Sequence, residues 1–208
     1  MTIERPGRPE DLPPAELLWA RWALIAALEA TSAKETDRYP VGVWIDDEGL
    51  HLDDCGCTWW TYSRLGEGRY VLYGEDESSG VKWHETPIDM LAGGPDWLPY
   101  EELRDRLAGN ELGCVYWYEN GAWARAPYPD DLDDDGLDCG MSRFVERGET
   151  RVMMFDCVDP ARADELLDAA EAGAVTPELL EGLGERRRDG DPRDLPAMLR
   201  TLARARAV

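Results

Sequence analysis

A two-residue period broken by turn residues constrains this chain more than any other feature. Residues 41–45 and 50–52 flank the acidic turn Asp46-Asp47-Glu48-Gly49, and residues 57–62 and 69–73 flank Leu65-Gly66-Glu67-Gly68. Residues 115–118 and 122–124 flank Asn120-Gly121, a pair that tolerates positive φ at both central positions of a hairpin. Residues 142–145 and 151–155 flank Arg147-Gly148-Glu149 and read as a fourth hairpin. Alternation of this kind gives each strand two distinct faces, and short turns impose antiparallel pairing. The expected fold is α+β, with a mostly antiparallel sheet of about 6–8 hairpin-paired strands.

Helical spacing flanks and interrupts that pattern. Leu17, Leu18, Trp22, Ile25 and Leu28 follow Pro14 and predict an amphipathic N-terminal helix. Thr86-Pro87 with Asp89 opens a short helix closed by Gly93-Gly94, and Pro99 opens a second closed by Gly109. Together they make a helical insertion near 86–108. Asp159-Pro160, Thr176-Pro177 and Asp194 are start signals for two or three C-terminal helices. Residues 1–13 read as a loose N-terminal arm, 14–158 as a helix plus antiparallel β domain, and 159–208 as a helical segment packed on it. Cys57–Tyr62 and Cys114–Glu119 echo each other weakly, but no repeat period extends the match.

Charge narrows the function classes. Asp and Glu number 44 against 22 Lys and Arg, for a net charge of −22. Such a surface repels nucleic-acid phosphates and anionic lipid, so neither direct nucleic-acid binding nor membrane docking is expected. The N-terminus has no apolar signal core, and the longest apolar stretch falls far short of the ~20 residues of a membrane span. With five cysteines in no disulfide pattern, these features predict a cytoplasmic location. Twenty of the 22 basic residues are Arg, which reads as the codon bias of a GC-rich bacterium. Residues 186–208 hold seven Arg and three Asp, so the basic excess lies in the last segment. Its expected role is to fold onto the acidic body, or to dock on a neighbouring subunit.

Two motifs suggest metals. Asp131-x-Asp133-x-Asp135-Gly136 matches the first half of a calcium loop, in which clustered oxygens coordinate a hard cation and glycine makes the turn. Position twelve is Ser142 rather than Glu, and no helix clearly flanks the loop. The alternative is a solvated, partner-facing loop. His51 with Cys55 and Cys57 offers zinc ligands, to be completed from His84, Cys114 or Cys139, but the Cys-x-Cys spacing is tight for a structural site. No phosphate loop, nucleophile elbow or zinc-protease helix is present.

Nine Trp and eight Tyr stand against two Phe. Adjacent aromatics in a strand face opposite sides of the sheet, so Trp59-Trp60 and Trp117-Tyr118 each place one ring on the second face. That face is either covered by helices or a binding surface, since Trp and Tyr dominate interface hot spots. The reading is an acidic interaction protein for a basic protein partner, of the immunity or antitoxin kind. The partner-binding residues are Asp46, Asp47, Glu48, Glu75, Asp76, Glu77, Asp130, Asp131, Asp133, Asp134 and Asp135, with Trp60 and Trp117. The alternatives are a structural subunit of a bacterial complex and a carboxylate- or metal-dependent enzyme, with calcium at Asp131, Asp133 and Asp135.

Overall fold

Each short turn returns the chain beside the strand it has just left, so the sheet grows in sequence order. The computed structural model describes residues 2–207. Its six strands are β1 (Gly42–Ile45), β2 (Leu50–Asp53), β3 (Thr58–Arg64), β4 (Tyr70–Asp76), β5 (Cys114–Glu119) and β6 (Ala122–Arg125). All neighbours are antiparallel, in the order β1-β2-β3-β4-β5-β6. The fold is α+β, with an N-terminal helix and C-terminal helices around an antiparallel sheet, as the alternation and the turns imply.

Eight helices accompany the sheet among the described residues: α1 (Ala15–Glu29), α2 (Ser32–Thr36), α3 (Tyr100–Ala108), α4 (Asp138–Val145), α5 (Arg147–Met153), α6 (Pro160–Glu171), α7 (Pro177–Glu181) and α8 (Leu195–Ala207). None of them is long and apolar enough to cross a membrane. α1 is buried on nearly every side, from Ala15 and Leu18 through Leu28. It is therefore a central core helix rather than the two-faced helix its leucines suggest. Its buried Arg21 donates to Glu171 (2.8 Å) and to the Val145 carbonyl (2.6 Å), so its charge is paired and it caps the end of α4.

One core lies between the first sheet face and α1, α4, α6 and α8, and contains Val43, Leu52, Trp60, Tyr62, Leu72 and Tyr116. The rings there have polar tips that pin the covering layer. Trp60 Nε1 donates to the Cys139 carbonyl (2.8 Å), Tyr62 to that of Ala15 (2.8 Å), Trp19 to that of Ala205 (3.0 Å) and Trp123 to that of Pro13 (2.7 Å). Phe could fill the space but would leave those carbonyls without these donors. A smaller core on the second face joins Val71, Tyr73, Val115 and Trp117 to Leu98 and Leu103 of the insertion and to Leu112 just after it.

Three expectations change. Residues 142–145 and 151–155 form α4, α5 and a 3₁₀ turn instead of a fourth hairpin. Buried Met141, Phe144 and Val145 follow a helical spacing, and Trp22 stacks on Phe144 at 4.3 Å. The insertion has a single helix, α3. Around 86–94 the chain turns instead, and Asp89 accepts from the Leu91 N–H (3.0 Å) in an Asx turn that competes with helix. The N-terminal segment is packed rather than loose: Ile3 and Leu12 are buried, and Gly7 exchanges hydrogen bonds with Asp135 and Tyr116.

Candidate functional site

The strand register decides which acidic loops meet. Leu50 pairs with Tyr62 and Asp53 with Trp59, so the turn at 46–49 lies at the end of the sheet that also carries the 65–68 turn. Asp76 pairs with Thr58 and Gly74 with Cys114, which puts the 53–57 turn and the 75–77 segment at the opposite end. The 130–138 loop joins that second end, since the Gly80 N–H donates to the Asp134 carbonyl (2.9 Å) and the Glu77 N–H to that of Cys57 (3.0 Å). Asp46, Asp47 and Glu48 are thus separated from the other proposed partner residues, and the loops do not make a single surface.

At the first end, Asp46 belongs to a local network. His51 Nε2 lies 2.8 Å from Asp46 Oδ1, His51 Nδ1 lies 3.1 Å from Thr61 Oγ1, and the ring stacks on Trp44 at 5.0 Å. Asp46 also accepts from the Glu48 N–H at 2.8 Å. Burial raises the Asp46 carboxyl, but the His51 and backbone hydrogen bonds outweigh it and leave the pKa below its ordinary value. Both ring nitrogens of His51 are engaged, one by the β1–β2 turn and one by β3, although the ring borders a cavity of about 370 Å³. Asp47 is exposed and faces Arg204 of α8 at 3.8 Å.

The second end is denser. Asp76 is buried and serves the fold, accepting from the Thr58 hydroxyl and from the Ser78 N–H (2.8 Å). Burial raises its carboxyl, and these bonds bring it below the ordinary value. Glu75 is ion-paired with Lys82. Asp134 and Asp138 share Arg5, at 3.6 and 2.6 Å. Asp131 is 81% exposed and meets His84 at 3.2 Å. Glu77, Asp130 and Asp133 are exposed and make no ion pair among the described residues. They form the accessible carboxylate group of this end.

Asp135 turns inward and is 1% exposed. It accepts from the Gly7 N–H (2.9 Å) and lies 2.7 Å from the Tyr116 hydroxyl. Burial raises its pKa above the ordinary value, more than its hydrogen bonds lower it. Asp135 points into the core while Asp131 points outward to His84, so the carboxylates of the proposed calcium loop do not converge in this structure. Among the described residues no three His, Cys, Asp or Glu side chains are grouped to hold a metal. The candidate zinc ligands are likewise dispersed. Cys55 and Cys57 are exposed in the 53–57 turn, Cys114 is buried, and His51 is committed to Asp46 and Thr61.

Neither aromatic assigned to a partner is accessible. Trp60 is 0% exposed and lies flat against Gly74, where a Cβ would stand 2.6 Å from the ring. Trp117 is 7% exposed beneath the insertion. Two rings are widely exposed among the described residues, Tyr39 at 72% and Trp83 at 73%; Trp83 stands in a 3₁₀ turn (Val81–Trp83) between Lys82 and His84. Its backbone N–H donates to the Gly80 carbonyl (3.1 Å), and Gly80 in turn bonds Asp134, so the residue is tied to the acidic end. The sequence signal for it is a tryptophan flanked by Lys82, His84 and Glu85, outside any strand pattern.

No protein-family model, curated protein or solved structure matches this chain.

Proposed function

We propose that this chain is an interaction protein that binds a basic protein partner through the acidic end of its sheet, in the manner of an immunity or antitoxin-type inhibitor. The observation that carries the reading is the exposure of Trp83 at the sheet end that also carries the accessible carboxylates Glu77, Asp130 and Asp133. A large exposed ring supplies desolvated contact area at low entropic cost, and surrounding carboxylates attract Lys and Arg while repelling acidic competitors. The net charge of −22 strengthens the steering field at long range.

The reading is tested by using the chain as bait in host lysate, beside two variants, Trp83→Ala and Asp130→Asn/Asp133→Asn. The expected partner is basic, is retained at low salt, is released at high salt and is lost from both variants. Identical proteins retained by all three baits would overturn the proposal. A partner held at high salt by every bait would instead favour an assembly subunit with an apolar interface.

A further inference from the structure

The basic segment forms a structure of its own. Between α7 and α8 the chain doubles back in a small hairpin. The Arg187 N–H donates to the Asp191 carbonyl (2.8 Å), the Arg193 N–H donates to that of Glu185 (2.9 Å), and Arg186 bridges Pro192. The hairpin faces the start of α6 across a cavity of about 390 Å³. Arg162, Arg186, Arg187, Arg188 and Arg193 all line it, with Asp159 as the one carboxylate in the wall among the described residues.

These guanidinium groups are incompletely satisfied. Arg162 pairs with Glu165 and Arg187 with Asp189, each at 3.0 Å. Arg186, Arg188 and Arg193 make no ion pair among the described residues, and bond only the carbonyls of Gly190, Phe155 and Cys157. The Nε atoms of Arg162, Arg187 and Arg193, and one terminal nitrogen of Arg193, are buried without a hydrogen-bond partner. Burial also pulls the Arg193 pKa below its ordinary value. A buried cationic donor without an acceptor is among the costliest arrangements in a protein interior. Five arginines converge on one cavity in a chain that otherwise carries a large acidic excess.

We infer that this cavity is an anion site for a phosphate group, free or as a small phosphate monoester. Phosphate brings three or four acceptor oxygens and close to two negative charges, against two oxygens and one charge for a carboxylate. That number of acceptors suits several convergent guanidinium donors, whose planar forks match phosphate geometry. Phosphate would meet the orphaned nitrogens while Asp159 limits how deeply it enters. The inference is independent of the acidic sheet end and of any basic partner.

The test is calorimetric titration of the full chain with inorganic phosphate and with phenyl phosphate at fixed ionic strength, with acetate and chloride as controls. Two variants accompany it. Arg193→Gln removes the half-buried group whose Nε and one terminal nitrogen are buried, and Arg188→Gln removes an exposed one whose loss spares the fold. The expected result is saturable one-site binding in the range of about 1 mM or tighter for at least one phosphate probe. It should weaken roughly tenfold or more in each variant, as expected for loss of a charge-assisted hydrogen bond. Tighter binding of phenyl phosphate would identify a monoester, and equal binding a free anion. A response reproduced by acetate or chloride, or unchanged in Arg188→Gln, would overturn the inference, as would no saturable binding of either phosphate probe.

Discussion

Replacing Asp135 separates a carboxylate that serves the fold from neighbours that face solvent. Its Oδ1 accepts from the N–H of Gly7 (2.9 Å) and of Leu137 (3.3 Å), and its Oδ2 lies 2.7 Å from the Tyr116 hydroxyl. Tyr116 lies equally close, 2.7 Å, to the Gly7 carbonyl. The Gly7 carbonyl also accepts from Arg125 Nε (3.0 Å), which leaves the phenol proton to the carboxylate, and burial raises the Asp135 pKa above its ordinary value. Asp135→Ala strips the acceptor from two backbone N–H groups at about 1–3 kcal/mol each, for a total of about 2–6 kcal/mol. For a chain of this size that lowers the melting temperature by about 10 °C. Asp135→Asn keeps an acceptor for the backbone and offers a donor to Tyr116, so it should cost less than about 1 kcal/mol.

The sign of the pH dependence follows. A raised carboxyl pKa means that the folded state holds its proton longer than the unfolded chain. Stability is then lost as pH rises from the ordinary carboxylate value through the raised one, and Asp135→Asn should remove that component. Urea unfolding followed by tryptophan fluorescence, with exposed Asp133→Ala as control, measures all three variants. The reasoning is refuted if Asp135→Asn is as damaging as Asp135→Ala, or if Asp135→Ala matches the control within about 0.5 kcal/mol.

Two further outcomes are expected. Gly74→Ala would place a Cβ 2.2 Å from the Trp59 carbonyl and 2.6 Å from the Trp60 ring, and should destabilise by about 3 kcal/mol or more in the same unfolding assay. Asp46→Asn should reduce stability modestly, by less than about 1 kcal/mol because the carboxylate is partly exposed. Since the Asp46 pKa is lowered, the wild-type advantage should be present above the ordinary carboxylate value and vanish as pH falls through the lowered one. Unfolding curves at a series of acid pH values would show it.

Much of the fold is legible in the sequence because local signals agree with one another. The first three hairpins carry both alternation and turn chemistry, and α1, α6, α7 and α8 carry start signals and helical spacing. The region 142–155 misleads because Val152, Met153 and Phe155 suit a strand as well as a helix; packing against Trp22 selects the helix at Phe144. The aromatic excess is visible, but its purpose is not. Trp60 and Tyr62 use their polar tips on carbonyls far away in sequence, at Cys139 and Ala15, which no local pattern encodes. The same long-range cause hides the inward turn of Asp135, whose partners lie at Gly7 and Tyr116. The acidic loop at 46–49 is recognisable as a turn, but which acidic segments it meets depends on strand register. Arg186–Arg188 read as a basic run, whereas their convergence with Arg162 and Arg193 emerges only from the cavity.

Under the proposed function, the accessible carboxylates at one sheet end guide a basic partner. The most direct measurement is the association rate of the captured partner as a function of ionic strength. It would compare wild type with a variant carrying Glu77→Gln, Asp130→Asn, Asp131→Asn and Asp133→Asn. The wild-type rate should fall steeply with added salt, and the variant should associate about tenfold more slowly at low salt, with the two curves converging at high salt. Coincident curves at every ionic strength would contradict the claim.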